Sequence, residues 1–450
     1  MQPPRHTPLA LVVALAAPLT WWLAWPATAL GQAEGGHAGG DSTLTVVALI
    51  GAVSVAYLLA HFVVGRLQKA FLVMAGVEYL ILGALLAEHK YMPYHIPAFS
   101  HLEDVLPIVA LAVGWVGLLR GMELSVERLR TGDASGPARV VVVQFLAAGG
   151  LTTGAAYLAF SLGAIGPVDD RQAWMAAGIL GCAAAAGSVG PVELLRRRYR
   201  LEGELSERIR RIAAMSDLLA ILVFGILFCV HHVNDPAATA QPSQVEWAVV
   251  SVFLGVLLGV LFRPFLGDDD SENGRFLALI GIIVLASGAA YFLNLSPLFV
   301  NLWLGVVLVN TAKAGPQIRK TLDSTRAPMT LVLLVFAGAL WRPPDVDATL
   351  VVLATMAYIV LRIFGKWVGT GLAAWRSSLR GDYYRGLIAH GEVSVAMAVS
   401  LRLVYEGPAI DLAYTAILGS VIVSDLIAPR VLRGLLVDTG DLRGESKEPA

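Results

Sequence analysis

One acidic residue interrupts an apolar run in the sequence Ala213-Ala214-Met215-Ser216-Asp217-Leu218-Leu219-Ala220. The run extends from about 208 to 230, which is the length of a membrane-spanning helix. At about 1.5 Å per residue, Asp217 lies roughly 13 Å from the end near Arg208, close to the middle of a bilayer. An ionisable group at that depth costs about 2.5–3.5 kcal/mol, so it indicates function by default. The alternative is a structural aspartate paired with a neighbouring helix.

The composition of the whole chain indicates a membrane protein. Of its 450 residues, 56% are hydrophobic and 15% are charged, whereas soluble domains carry about 25% charged residues. The net charge of −1 gives no indication of a nucleic-acid partner. The two cysteines, Cys182 and Cys229, lie in apolar runs without metal-ligand spacing. No phosphate-binding loop, nucleophile–base pair or metal cluster indicates an enzyme or a cofactor.

Thirteen apolar segments follow the N-terminal region. They run at about 43–64, 70–88, 103–120, 138–162, 172–190, 208–230, 245–263, 275–293, 296–312, 327–341, 346–375, 384–405 and 411–433. The first six and the last six flank a spare seventh, so the two sets are inverted in the membrane. The predicted fold is an all-α polytopic membrane protein with about 13 transmembrane helices in two inverted six-helix repeats.

The two ends of the chain lie outside this predicted transmembrane domain, 43–433. Residues 1–30 hold an apolar stretch before Ala27-Thr28-Ala29, which is typical of a cleaved signal peptide. The alternative is a retained extra helix. Residues 434–450 form a short polar tail. Most lysines and arginines fall in loops after odd-numbered segments, so the positive-inside rule places the mature N-terminus outside and the C-terminus in the cytoplasm.

Lys366 and Arg362 are the expected charge partners of Asp217. Lys366 lies nine residues from the end of its segment near Trp375, at about the same depth as Asp217. Arg362 lies one turn deeper on the same face and competes for the role. The alternative for Lys366 is a lysine whose ammonium group reaches the membrane surface.

Three further ionisable residues lie within predicted segments. Glu392 follows Gly391, and it either neutralises a half-helix end or faces a water-filled funnel. His390 either titrates near neutral pH or is a satisfied packing histidine. Glu78 either packs or lines a funnel.

Two segments are rich in helix-breaking residues. The fifth contains Gly187-Ser188-Val189-Gly190-Pro191, and the twelfth contains Gly386 and Gly391. Membrane backbone breaks only where it is buried in protein or lines a cavity. Both segments are fifth in their set of six, and such matching interruptions point to a transporter site. The alternative is small residues that serve close helix packing.

These features together resemble the cation:proton antiporter superfamily, especially its bacterial sodium/proton and potassium/proton branch. The resemblance covers about 43–433 and rests on five stretches in order. They are Gly76-Val77-Glu78-Tyr79-Leu80-Ile81-Leu82-Gly83-Ala84-Leu85-Leu86, Leu118-Leu119-Arg120-Gly121-Met122-Glu123-Leu124-Ser125, Ser216-Asp217-Leu218-Leu219-Ala220, Phe364-Gly365-Lys366-Trp367-Val368-Gly369 and His390-Gly391-Glu392-Val393.

The resemblance implies a homodimer in the bacterial inner membrane, with a dimerisation domain and a mobile six-helix core that moves like an elevator. It implies two crossed, broken helices beside Asp217. In this resemblance Asp217 would bind either H⁺ or the cation. Lys366 would match the family's core lysine. Ser216 replaces the first acid of the family's pair, which favours one-for-one exchange or a changed stoichiometry. Ser188 is the only side-chain oxygen left in the fifth-segment break.

The expected function is therefore exchange of H⁺ for Na⁺ or K⁺ without a cofactor. The cation would depend on oxygens of Asp217, Ser216 and Ser188, on backbone carbonyls and on water, because hard cations prefer several oxygen ligands. Glu392 and His390 would tune the cytoplasmic funnel. Two rivals remain: a symporter or anion transporter on the same fold, and a membrane-embedded partner or sensor without transport.

Overall fold

The structure is a computed structural model, and it describes residues 76–86, 102–125, 135–201, 203–233, 242–267, 272–311, 315–375 and 379–442. The predicted N-terminal segment 1–30 and the first predicted helix, 43–64, lie outside these residues. All described residues belong to one packed unit.

Helices dominate the described part of the chain. They are α1 (Val77–Leu86), α2 (Leu102–Gly121), α3 (Ser135–Gln144), α4 (Gly150–Ser161), α5 (Asp170–Ala185), α6 (Gly190–Tyr199), α7 (Glu204–Val230), α8 (Gln244–Gly267), α9 (Glu272–Phe292), α10 (Pro297–Thr311), α11 (Gly315–Ala339), α12 (Ala348–Ala374), α13 (Tyr384–Leu387), α14 (Glu392–Val404) and α15 (Pro408–Asp438). A π-helical turn, Phe145–Gly149, joins α3 to α4, and a 3₁₀ turn, Gly381–Tyr383, precedes α13.

The predicted all-α membrane fold is confirmed. Each predicted segment from 70–88 onward contains a helix. Among the described residues, six helical stretches are long and apolar enough to cross a membrane when α3–α4 and α5–α6 each count as one, and the bent pair α13–α14 makes a seventh. Two helical parts were not predicted because their sequences are rich in charged residues. Helix α11 begins at Gly315 rather than near 327, and α6 lies outside every predicted segment except at its first residue. The inverted repeats and the dimerisation domain stay predictions.

Two helices are interrupted in the middle of the protein. After α5 the chain is extended at Ala186, and α6 begins at Gly190 with Pro191 in its first turn. Proline suits that position because it has no backbone N–H to leave unpaired. The second interruption separates α13 from α14, and the two helices meet at an angle of 63°.

The described helices pack in two groups. In one group, α3 to α7 pack with α12 to α15, and both interruptions lie there. In the other, α1 and α2 pack with α8 to α11. Glycines let α2 lie against the backbone of α10, since a Cβ at Gly117 would lie 2.2 Å from the Leu298 carbonyl oxygen. The groups meet where α14 contacts α2 and α11, and where α7 contacts α8, α10 and α2.

Candidate functional site

Asp217 lies on α7 beside the first interruption, and its side chain is fully buried. Its Oδ1 accepts a hydrogen bond of 3.0 Å from the backbone N–H of Gly187. The close approach requires glycine, because a Cβ at Gly187 would lie 2.9 Å from Cα of Ala213 on α7. The carboxylate therefore lies just before the N-terminus of α6, where partial positive charge favours an anion.

Two cations of α12 bind the carbonyl ends of the interrupted helices. Nζ of Lys366 donates to the carbonyl oxygens of Ala186 and Leu387, each at 2.6 Å. Arg362 donates to the carbonyls of Ile388 and Ala389, the second at 2.8 Å. Helix C-termini leave carbonyls unpaired and carry partial negative charge, so they suit cations. Lys366 thus links the two interruptions, and Arg362 binds the second one only.

The charge partner of Asp217 differs from the one expected. Lys366 and Arg362 are engaged by backbone carbonyls, and among the described residues the ion pair of Asp217 is with Arg120 of α2. Arg120 Nη2 lies 3.2 Å from Asp217 Oδ2. This contact lacks hydrogen-bond alignment, so Oδ2 has no hydrogen-bond partner within the described chain. This pair was not predicted, because Arg120 is the last residue of the predicted segment 103–120 and so was expected at the end of a span.

Arg120 also joins two other carboxylates. Its Nη2 lies 3.1 Å from Glu392 Oε1, and its Nη1 lies 3.1 Å from Glu123 Oε1. Glu392 further accepts from Arg326 at 2.7 Å and from Thr330 at 2.9 Å. Ion pairs therefore cross between the two helix groups at this point.

A charged cavity of about 260 Å³ ends at this cluster. Its polar lining combines five arginines with four acids: Arg120, Arg197, Arg210, Arg319, Arg326, Glu123, Glu193, Asp323 and Glu392. Arg120 and Glu392 contact both the cavity and each other, and Arg120 contacts Asp217. Arg120 thus joins the cavity, whose described lining does not include Asp217, to the Asp217 carboxylate.

Comparison with known proteins supplies the family. The family model described as "Sodium/hydrogen exchanger, transmembrane" matches residues 79–437. This chain belongs to the sodium/hydrogen exchanger family. Two solved structures of the sodium proton antiporter MjNhaP1 from Methanocaldococcus jannaschii, one at pH 8 and one an EM map, are similar to it in fold. Each has 15% identity and a TM-score of 0.57, and the alignments cover 88% and 90% of this chain and 99% of MjNhaP1. Among curated proteins, none matches.

In this exchanger-family chain, a glutamine that was not among the predicted site residues lies beside the site. Gln144, at the end of α3, donates from Nε2 to the carbonyl of Ala185, the last residue of α5, at 3.0 Å. Its Oε1 accepts from the Ser216 hydroxyl at 3.3 Å. Gln144 directly precedes the π-helical turn, and such turns are frequent at functional sites. A polar residue within an apolar run was the available signal.

Ser188 and Gly391 bring the two interruptions into contact. Ser188 is buried, and its hydroxyl accepts from the Gly190 N–H at 3.3 Å. A Cβ at Gly391 would lie 3.0 Å from Ser188 Oγ. The two interruptions of this exchanger-family fold therefore pass each other within side-chain contact distance.

His390 and Glu78 both have hydrogen-bond partners within the protein. Both ring nitrogens of the buried His390 have partners, Ser394 Oγ at 2.8 Å and Tyr358 OH at 3.4 Å, which fits a satisfied packing histidine. Glu78 accepts from the Gly76 N–H at 2.9 Å in the first turn of α1. It is absent from the described residues that line the charged cavity.

Proposed function

We propose that this chain exchanges H⁺ for Na⁺ or K⁺ across the bacterial inner membrane, with Asp217 as the shared binding group. The observation that carries the proposal is the fully buried carboxylate whose Oδ2 lacks a hydrogen-bond partner among the described residues. A buried carboxylate is favoured when it is protonated or paired with a cation. One group that binds either ion, but not both, couples their movements. Family membership supports the proposal.

The oxygens near Asp217 suit a partly hydrated monovalent cation. Ser188 follows Gly187, whose N–H binds Asp217, and Ser216 precedes Asp217 on α7. Hard cations prefer such oxygen ligands, supplemented by water and carbonyls. Lys366 and Arg362 would keep the interrupted backbone in place while Asp217 changes its ligand.

Transport would proceed by an elevator-like movement of the group α3–α7 and α12–α15 against the group α1, α2 and α8–α11. The second group would form the interface of a homodimer. The packing into two groups and the ion pairs between them support this mechanism. We place the C-terminus and the charged cavity on the cytoplasmic side, because the arginine-rich loops lie there under the positive-inside rule.

The test is collapse of a preset ΔpH in proteoliposomes when Na⁺, K⁺ or Li⁺ is added. Wild type is compared with Asp217→Asn and with Asp169→Asn, which alters an exposed aspartate at the start of α5. We expect a cation-dependent collapse that only Asp217→Asn abolishes. Full activity in Asp217→Asn would overturn the mechanism. A wild type that responds to no cation would favour another solute on this fold or a non-transporting partner or sensor.

A further inference from the structure

Arg120 and Asp217 belong to different helix groups, yet their side chains meet at the centre of the site. We propose that Arg120 is a tethered competitor of the transported cation: its guanidinium occupies Asp217 and links the two helix groups until the cation displaces it. This inference rests on the proposed antiport function.

The position of the guanidinium supports competition. Arg120 is 2% exposed and brings positive charge within 3.2 Å of Asp217 Oδ2, the carboxylate oxygen that Gly187 does not bind. The contact lacks hydrogen-bond alignment, and Nε of Arg120 also has no hydrogen-bond partner among the described residues. The pair is therefore held by charge more than by directed bonds, and a small cation supplies the same charge.

The packing of α2 makes the pair sensitive to relative movement of the groups. Arg120 lies between close backbone contacts, because a Cβ at Gly117 or at the adjacent Gly121 would lie about 2 Å from a carbonyl oxygen of α10. Close packing of this kind resists internal rearrangement, so Arg120 would stay in place relative to α10. Asp217 is likewise fixed to its own group through Gly187. A shift between the groups must therefore break the contact between Arg120 and Asp217.

Displacement does not leave Arg120 unpaired. Its Nη1 contacts Glu123, which lies three residues later in the same helix group. A buried arginine without any partner would cost several kcal/mol, whereas Glu123 keeps the charge compensated after Asp217 is released. Arg120 can therefore leave Asp217 at modest cost, while the pairs of Glu392 with Arg120 and Arg326 still join the two groups.

The other nearby cations do not fit this role. Lys366 binds the carbonyls of Ala186 and Leu387, which belong to the same helix group as Asp217. Arg326 contacts Glu392 and Glu193, and no ion pair between it and Asp217 occurs in the described chain. Arg120 alone among these three joins Asp217 to the opposite group.

The test compares wild type, Arg120→Gln and Arg120→Lys in the ΔpH assay with Na⁺ and with K⁺ at alkaline pH, where protons compete least. Arg210→Gln is the matched control, because Arg210 lines the same cavity but pairs with Glu207 on its own helix. We expect the KM for the transported cation to fall roughly threefold to tenfold in Arg120→Gln. These factors apply if the Arg120–Asp217 pair is formed roughly 70–90% of the time in wild type, because the cation then binds only the remaining fraction. Arg120→Lys should lie between the two, and Arg210→Gln should stay within about twofold of wild type.

Binding gives a second readout that does not depend on turnover. The same cation should raise the thermal unfolding temperature of detergent-purified Arg120→Gln at lower concentrations than wild type requires. The inference would be overturned if Arg120→Gln showed an unchanged or higher KM and needed the same or a higher cation concentration for stabilisation, while Asp217→Asn still abolished exchange. Retained exchange in Asp217→Asn would instead overturn the proposed function. If Arg120→Gln does not fold, a wild-type KM in Arg120→Lys overturns the inference.

Discussion

The ammonium nitrogen of Lys366 lies 2.6 Å from the carbonyl oxygen of Ala186, where the chain leaves α5. The same nitrogen donates to Leu387 at the end of α13. One lysine therefore joins the two interruptions, and its charge is compensated by helix C-termini rather than by Asp217. The residue defines the shape of the site without occupying it.

Lys366→Met should therefore destabilise the protein as well as impair exchange. The change leaves two buried carbonyls without their charged donor, and each unpaired buried group costs about 1–3 kcal/mol. Thermal unfolding in detergent should occur at a clearly lower temperature. Lys320→Met is the control, because Lys320 is exposed on α11 and surface changes are usually within about 0.5 kcal/mol. Equal stability of the two variants would show that the lysine does not hold the interruptions together.

Two glycines of α12 differ in how closely neighbouring atoms approach them, so their substitution by alanine tests close packing apart from helix propensity. A Cβ at Gly365 would lie 2.5 Å from Cα of Ala148 in the π-helical turn, whereas a Cβ at Gly371 would meet nothing within 4 Å. Gly365→Ala should lower stability by about 1–3 kcal/mol through overpacking. It should also reduce exchange, because α12 carries Lys366. Gly371→Ala should be neutral or stabilising. If both variants unfold at the same temperature, the close approach of α12 to the turn is not required.

Gln144→Leu tests the polar contact at the end of α5. The substitution removes the bond to the Ala185 carbonyl and leaves Ser216 without its acceptor in the apolar interior. We expect a loss of about 1–3 kcal/mol in stability and a lower exchange rate. Ser216→Ala is the matched variant, because it removes only the hydroxyl bond and should cost less. A Gln144→Leu protein with wild-type rate and stability would contradict this role.

The sequence predicted the fold, and it indicated Asp217 as the candidate site, through patterns that are local. Apolar runs set the spans, and glycine clusters near 187 and 391 lie where the chain leaves the helix. Asp217 stood out because a single acid in a long apolar run is costly. The amphipathic helix α6 escaped notice because its arginines made it look like a loop.

The partners of the site residues depend on tertiary contacts that no local pattern shows. Arg120 is the last residue of the predicted segment 103–120, which puts it near the membrane surface, although the fold buries it against Asp217. Lys366 was assigned to Asp217 because opposite charges at equal depth attract. The unpaired carbonyls at the C-terminal ends of α5 and α13 compete for the same ammonium group. Their positions follow from the tertiary arrangement of both interruptions, which the sequence does not show.

Exchange should be electroneutral. Asp217 carries the same net charge whether it binds one proton or one monovalent cation, so both directions of the cycle move equal charge. Glu392 is buried too, but Arg326 and Thr330 occupy its carboxylate. A cation jump on solid-supported membranes should therefore give no more current for wild type than for Asp217→Asn.

A larger wild-type current would indicate that a second proton is transported. Its first candidate is Asp425 on α15, which is 8% exposed and whose Oδ1 lacks a hydrogen-bond partner among the described residues. Asp425→Asn would then remove the current while exchange continues.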